Sequence, residues 1–91
     1  MRAKVRIFYP ELLRLVDSPG EILVEGGTVG ECLHDLARRY PGVEKLIFDA
    51  RGALFSQLYV FVNAEGMDKA ELTKSVRDDD VLIMAVLASG G

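Results

Sequence analysis

Apolar and charged residues alternate along the first strand-length stretch of the chain. Ala3, Val5 and Ile7 are separated by Lys4 and Arg6, and this period of two is typical of a β-strand with one buried face. Three further stretches rich in β-formers or bounded by turn residues predict strands: 21–25, 58–62 and 81–87.

One long helix is predicted between the second and third strands. Thr28 and Glu31 have the spacing of a capping box, which favours a helix start, and Pro41-Gly42 ends the helix. Its apolar stripe consists of Val29, Cys32, Leu33, Leu36, Ala37 and Tyr40. Two strands, a helix and two strands predict an α+β fold, with a mixed sheet and one main helix packed across one face.

The remaining segments predict short elements. Residues 11–16, after Pro10, favour a helical turn, and 43–48 favour a short edge element. The turn residues of 49–52 indicate a turn. The acidic run 78–80 lacks the spaced ligands of a calcium loop, so we interpret it as a turn before the last strand.

A single helix covers one face of the sheet and leaves the other face open. If Leu58 and Val60 belong to the core, Tyr59 and Phe61 lie on the open face. The last strand is apolar on both faces, so its register is not fixed by the pattern. We predict a partner-binding patch of Phe8, Tyr59, Phe61 and Met84. The alternative is that residues 43–56 fold over this face.

Size and charge limit the possible functions. Ninety-one residues allow one domain, and a net charge of −3 argues against nucleic-acid binding. Arg2, Lys4 and Arg6 fall on one strand face and indicate a solvated surface. No apolar stretch approaches the roughly 20 residues of a membrane span, and the N-terminus does not resemble a signal peptide. We therefore expect a cytoplasmic protein that does not bind membranes.

The residues that could carry catalysis are sparse. Cys32 falls on the apolar helix face, where a buried thiol is expected, and one His with one Cys makes no metal cluster. His34 lies off the apolar stripe and is expected on the surface. The glycine-rich segment 26–30 lacks the lysine of a P-loop. We expect no bound cofactor or metal and no enzymatic activity of the chain itself.

The sequence finishes on Gly90-Gly91, behind the last strand. Two residues without a Cβ form a thin thread that can enter a narrow slot in another protein. We expect residues 1–87 to form the folded domain and residues 88–91 a flexible tail.

Several features together resemble the ubiquitin-like sulfur carriers of the MoaD and ThiS type. The likeness extends over essentially the whole chain. The chain length resembles that of the small subunit of molybdopterin synthase more than that of the shorter thiamine sulfur carriers. The features are the first strand Val5-Arg6-Ile7-Phe8-Tyr9, the helix start Thr28-Val29-Gly30-Glu31-Cys32-Leu33, the strand end Val62-Asn63, the acidic turn Asp78-Asp79-Asp80 and the final Gly90-Gly91.

The resemblance implies a β-grasp fold and a sulfur carrier. It implies that a ubiquitin-activating-type adenylyltransferase, which supplies ATP and Mg, adenylates the Gly91 carboxylate and that a thiocarboxylate follows. Ser89 and Gly90 would belong to the tail that delivers it. The implied pathway is molybdopterin biosynthesis, with the large synthase subunit as partner. Sulfur transfer to thiamine, cysteine or tRNA, a ubiquitin-like modifier that forms isopeptide bonds, and a plain interaction domain remain alternatives.

Overall fold

The computed structural model describes residues 2–16, 20–63 and 71–86. Its four strands form one mixed sheet in the order β2-β1-β4-β3, in which β1 and β4 are parallel and the other neighbours antiparallel. The elements are β1 (Arg2–Phe8), α1 (Pro10–Leu13), β2 (Glu21–Glu25), α2 (Val29–Arg39), α3 (Val43–Ile47), β3 (Leu58–Val62) and β4 (Val81–Val86). The predicted β-grasp architecture is confirmed.

The core lies between the sheet and α2. Every second residue of β1 is buried, as are Leu82 and Met84 of β4. They pack in one cluster with the apolar stripe of α2, whose fully buried members are Val29, Cys32, Leu33 and Leu36. Burial of this apolar surface is the main source of stability in a domain of this size.

The register of β4 corrects one predicted site residue. Met84 pairs with Ile7, which faces α2, and Met84 has no exposed surface. Its assignment to the partner-binding patch is therefore wrong. Directly paired residues in a sheet point to the same face, so Val81, Ile83 and Ala85 occupy the open face instead.

The start of α2 is fixed by hydrogen bonds to its free N–H groups. The Thr28 hydroxyl accepts from the Glu31 N–H (3.1 Å), and the Glu31 carboxylate accepts from the Gly27 N–H (2.7 Å). The predicted capping box is thus confirmed, although its carboxylate reaches one residue before the cap. The N–H groups of Val29 and Gly30 donate to backbone carbonyls of the segment 71–76. These donors are already used and are not available to a phosphate.

Gly26 is packed too closely for any side chain. A Cβ at this position would lie 2.7 Å from both the Cys32 N and the Glu31 Cβ, whereas at Gly27 the nearest atom would be 3.5 Å away. Gly26→Ala is therefore expected to lower the free energy of unfolding by about 1–3 kcal/mol. Gly27→Ala is the matched control and should not destabilise the fold. Chemical denaturation of both variants measures the difference, and equal stabilities would contradict this account of Gly26.

Residues 43–56 do not cover the open face. Residues 43–47 form the helix α3, not the predicted edge element, because Val43 and Ile47 lie one helical turn apart and both enter the core. The Phe55 N–H donates a hydrogen bond to the Ile47 carbonyl, so the chain returns beside α3. The predicted helical turn after Pro10 is present as α1, which buries Leu12.

Side chains of α2 cover the outer edge of β2. Asp35 accepts from the Glu25 N–H (3.0 Å), and the Arg39 guanidinium donates to the Leu23 carbonyl. Burial favours a raised pKa for Asp35, but the Glu25 N–H and the Arg38 guanidinium outweigh it and hold the pKa below the ordinary aspartate value. The carboxylate therefore stays charged at neutral pH and bridges helix and strand.

Candidate functional site

The open face of the sheet presents a cluster of apolar and aromatic side chains, which we call the aromatic patch: Phe8, Tyr59, Phe61, Ile83 and Ala85. Phe61 pairs with Ile83, while Ala85 lies between Phe8 and Tyr59 in the sheet. Phe8 is 55% exposed and the other four are partly exposed. The Tyr59 and Phe61 rings stack with centroids 6.1 Å apart. Exposed apolar clusters of this kind are typical of protein-binding surfaces.

The structure thus brings together three of the four residues predicted for partner binding. Phe8, Tyr59 and Phe61 share the open face, and Met84 lies on the opposite one. Ile83 and Ala85 were missed because the alternation within β4 allows either register. The structure identifies them through the pairing of β4 with β1, for which the sequence carries no local signal.

A row of cations borders the aromatic patch on the same face. We call Arg2, Lys4 and Arg6 of β1 the cationic row, and its predicted place on a solvated sheet face is confirmed. Arg2 forms an ion pair with Glu25 (3.5 Å), and the Arg6 guanidinium lies over the Phe8 ring, 5.7 Å from its centroid. Such a cation–π contact stabilises an exposed pair by about 0.5–1 kcal/mol.

The last strand ends within the aromatic patch. Because β1 and β4 are parallel, the carboxyl end of β4 lies beside Phe8, and Val86 pairs with Leu58 at the start of β3. The predicted tail residues Ser89, Gly90 and Gly91 lie outside the described residues, as does Leu87. Their predicted role, and the division into a domain and a flexible tail, stay predictions.

The acidic turn fixes the opposite end of β4. Asp80 accepts hydrogen bonds from the Asn63 side-chain amide (2.9 Å) and from the Arg77 N–H (2.9 Å), while the Asn63 amide oxygen accepts from the Val81 N–H (2.8 Å). The Asn63 and Arg77 donors hold the pKa of Asp80 below its ordinary value. The predicted turn is confirmed, with its carboxylates used as hydrogen-bond acceptors.

Asp80→Asn is expected to lower the free energy of unfolding by about 1 kcal/mol at neutral pH, because the new amide cannot accept at both oxygens. The folded-state pKa of Asp80 lies below the ordinary 3.8. Its stabilisation is therefore present above that value and is lost as pH falls through 3.8 to the lower folded pKa. Thermal melts from neutral pH down to about pH 3 should show a smaller loss of stability in Asp80→Asn than in the wild type.

The charge-matched control is Asp79→Asn. Asp79 adopts a positive φ of 69°, which asparagine also tolerates. This control should keep the pH response of the wild type. If both variants lose equally less stability on acidification than the wild type, the pH response arises from net charge, which would contradict the role of Asp80.

The single cysteine and the single histidine both contact neighbouring residues of the fold. Cys32 is fully buried, with its Sγ 3.7 Å from the Gly26 carbonyl oxygen, and burial raises the pKa of its thiol. His34 is exposed, as predicted, and its ring stacks on Phe48 with centroids 4.4 Å apart. Within the described ranges, no three His, Cys, Asp or Glu residues are grouped to hold a metal, and no helix is long and apolar enough to cross a membrane.

No protein-family model matches the chain, and no curated protein matches its sequence. Solved structures do share its fold. Small archaeal modifier protein SAMP1 from Haloferax volcanii superposes with a TM-score of 0.83 at 23% identity, over 100% of both chains. A chain of the Amycolatopsis orientalis BexX/CysO complex gives 0.82 at 23% identity, over 98% of this chain and 99% of that one.

A third solved structure extends the comparison. A chain of the complex of subunits 1 and 2 of the molybdopterin-converting factor from Helicobacter pylori gives a TM-score of 0.59 at 18% identity, over 100% of both chains. The chain therefore has the ubiquitin-like β-grasp fold of these proteins. The resemblance predicted from the sequence is confirmed at the level of the fold.

Proposed function

We propose that this chain is a ubiquitin-like sulfur carrier of the MoaD and ThiS family, acting through the carboxylate of Gly91. The observation that carries the proposal is that β4, the strand before the glycine pair in the sequence, ends beside the exposed aromatic patch. A docking surface next to a thin reactive end is what a carrier needs. The fold shared with SAMP1, CysO and a molybdopterin-converting factor subunit supports the same proposal.

The proposed chemistry takes place in a partner's active site. A carboxylate is a poor electrophile, so the Gly91 carboxylate first attacks the α-phosphorus of ATP, and pyrophosphate leaves. A sulfide-equivalent nucleophile then attacks the acyl carbon and AMP leaves, which yields a thiocarboxylate. The partner, a ubiquitin-activating-type adenylyltransferase, supplies ATP and Mg. The chain supplies a positioned end and no catalytic side chain.

The aromatic patch gives this reaction its geometry. Docking through the patch places the end of β4, which adjoins Phe8 and Tyr59 through Ala85, at the edge of the interface. The five residues from Leu87 to Gly91 span roughly 16 Å when extended, at about 3.3 Å per residue, so the carboxylate reaches a buried pocket while the domain stays outside. Ser89 and Gly90 add little bulk to this thread.

The proposed pathway is molybdopterin biosynthesis in the cytoplasm, with the large synthase subunit as the second partner. Two solved structures support docking of this fold on another protein: the complex of the two molybdopterin-converting factor subunits from H. pylori and the BexX/CysO complex. Sulfur transfer to thiamine, cysteine or tRNA uses the same activated end and differs in the molecule that accepts the sulfur.

A second candidate function is protein modification, in which Gly91 forms an isopeptide bond with a target lysine. The similarity to H. volcanii SAMP1, described as a small archaeal modifier protein, favours it. Intact-mass measurement of the chain purified from its own cells separates the two functions. A gain of about 16 Da marks a thiocarboxylate, larger adducts mark conjugation, and an unmodified Gly91 in every preparation would contradict both.

A further inference from the structure

We propose that the partner's docking surface carries carboxylates opposite Lys4 and Arg6, next to the apolar area that receives the aromatic patch. This inference rests on the proposed function and specifies the chemistry of the activating partner. It follows from the way the strand order arranges charge across the open face.

The two cations lie directly beside the apolar part of the face. Lys4 pairs with Val81 and Arg6 pairs with Ile83 in the parallel β1–β4 ladder. Neither Lys4 nor Arg6 has a carboxylate within ion-pair distance in the part of the chain that the structure describes, whereas Arg2 is paired with Glu25. A partner that extends from the aromatic patch over β1 therefore covers two cations that form no ion pair among the described residues, although Glu21 is the cross-strand neighbour of Arg6.

Covering these cations without compensation is unfavourable. Desolvation of an unpaired charge costs free energy, and an opposite charge across the interface offsets it. The overall charge of the chain is −3, so long-range attraction does not favour an acidic partner in general. The complementary carboxylates must instead be local, opposite the cationic row.

Acidic residues of β2, the strand on the other side of the cationic row, limit where the partner's carboxylates can lie. Glu21 and Glu25 of β2 lie on the same face, beyond Arg6 and Arg2. The open face thus presents Glu21 and Glu25 on either side of the exposed Leu23 on β2, cations on β1 and apolar residues on the β4–β3 pair. An acidic strip on the partner fits over β1 and is repelled by β2, which fixes the rotation of the domain and the direction in which the tail leaves.

Charge reversal of Lys4 and Arg6 tests the proposal. The measured reaction is pyrophosphate release by the ubiquitin-activating-type adenylyltransferase of the same organism, with ATP and the full chain as substrate. We expect each of Lys4→Glu and Arg6→Glu to raise KM for the chain about five-fold, with kcat unchanged, because exposed charge pairs affect encounter more than chemistry. The difference from wild type should shrink between about 0.05 M and about 0.5 M salt.

Lys45→Glu is the matched control. Lys45 is an exposed lysine of α3, on the helix side of the molecule, and its reversal makes the same change in net charge. It should leave KM within about two-fold of wild type. Lys4→Gln and Arg6→Gln remove the charge without adding repulsion from Glu21, and they should show smaller increases of KM with unchanged melting temperatures.

The inference would be overturned by an unchanged KM in both reversals, by an equal rise in Lys45→Glu, or by a rise that salt does not reduce. Binding of a mixed-sequence oligonucleotide with the same sensitivity to Lys4→Glu and Arg6→Glu would assign the cations to nucleic acid and would also overturn it. Wild-type chain that releases no pyrophosphate at any concentration contradicts the proposed function itself, so the two failures are distinguishable.

Discussion

Deletion of Gly91 is expected to abolish thiocarboxylate formation while leaving the melting temperature unchanged. The reacting carboxylate would then belong to Gly90 and would stop about 3.3 Å short of the partner's catalytic atoms. Misplacement by a much smaller distance already costs about 100-fold in rate. Replacement of Gly90 by phenylalanine should have the same effect, because a bulky side chain does not enter a slot shaped for glycine.

The measurement is intact mass after incubation with the activating enzyme, ATP, Mg and sulfide. Extension of the chain by one alanine after Gly91 is the matched control for length, because it keeps both glycines but moves the carboxylate in the opposite direction. It should be equally inactive. Undiminished sulfur transfer by the shortened chain would refute the carrier proposal.

Phe61→Asp is expected to raise Kd for the activating enzyme about 30-fold or more, which corresponds to the 2 kcal/mol typical of an aromatic anchor. Phe61 lies on the open face, opposite Ile83 and stacked on Tyr59. Its ring is only partly buried in the free domain, so a charge at this position is tolerated by the fold but not under a docked partner.

Met84→Asp is the contrasting variant. Met84 is one ladder position from Ile83 but has no exposed surface, so a carboxylate at this position is buried without a partner and should unfold the domain. Titration calorimetry and thermal melts on both variants give the comparison. A fall in melting temperature for Phe61→Asp as large as that for Met84→Asp, or an unchanged Kd, would contradict a docking role for the aromatic patch.

Local patterns were sufficient to predict most of the fold. The alternation in β1 and the capping box of α2 are local signals, and both are confirmed in detail. The register of β4 was not predictable in this way, because a strand that is apolar on both faces has the same pattern in either register. Residues 43–48 were misassigned because a short apolar run carries too little periodicity to separate a helical turn from a strand.

The candidate site was predictable only in part. Phe8, Tyr59 and Phe61 follow from alternation within their own strands. The cationic row was also visible in the sequence, but its place beside Ile83 depends on the parallel pairing of β1 with β4, which joins residues about 77 positions apart and has no local signal. The role of the glycine pair depends on a partner, so folding of this domain alone does not determine it.

The contact between α2 and β2 links helix stability to solubility. Asp35 and Arg39 occupy backbone groups of Glu25 and Leu23 that would otherwise be free to extend the sheet into a second molecule. Detachment of α2 would uncover both the core and this strand edge in one step. Variants that weaken the helix would therefore lower the amount of non-aggregated protein in the cell. The chemistry of the molecules that remain folded would not change.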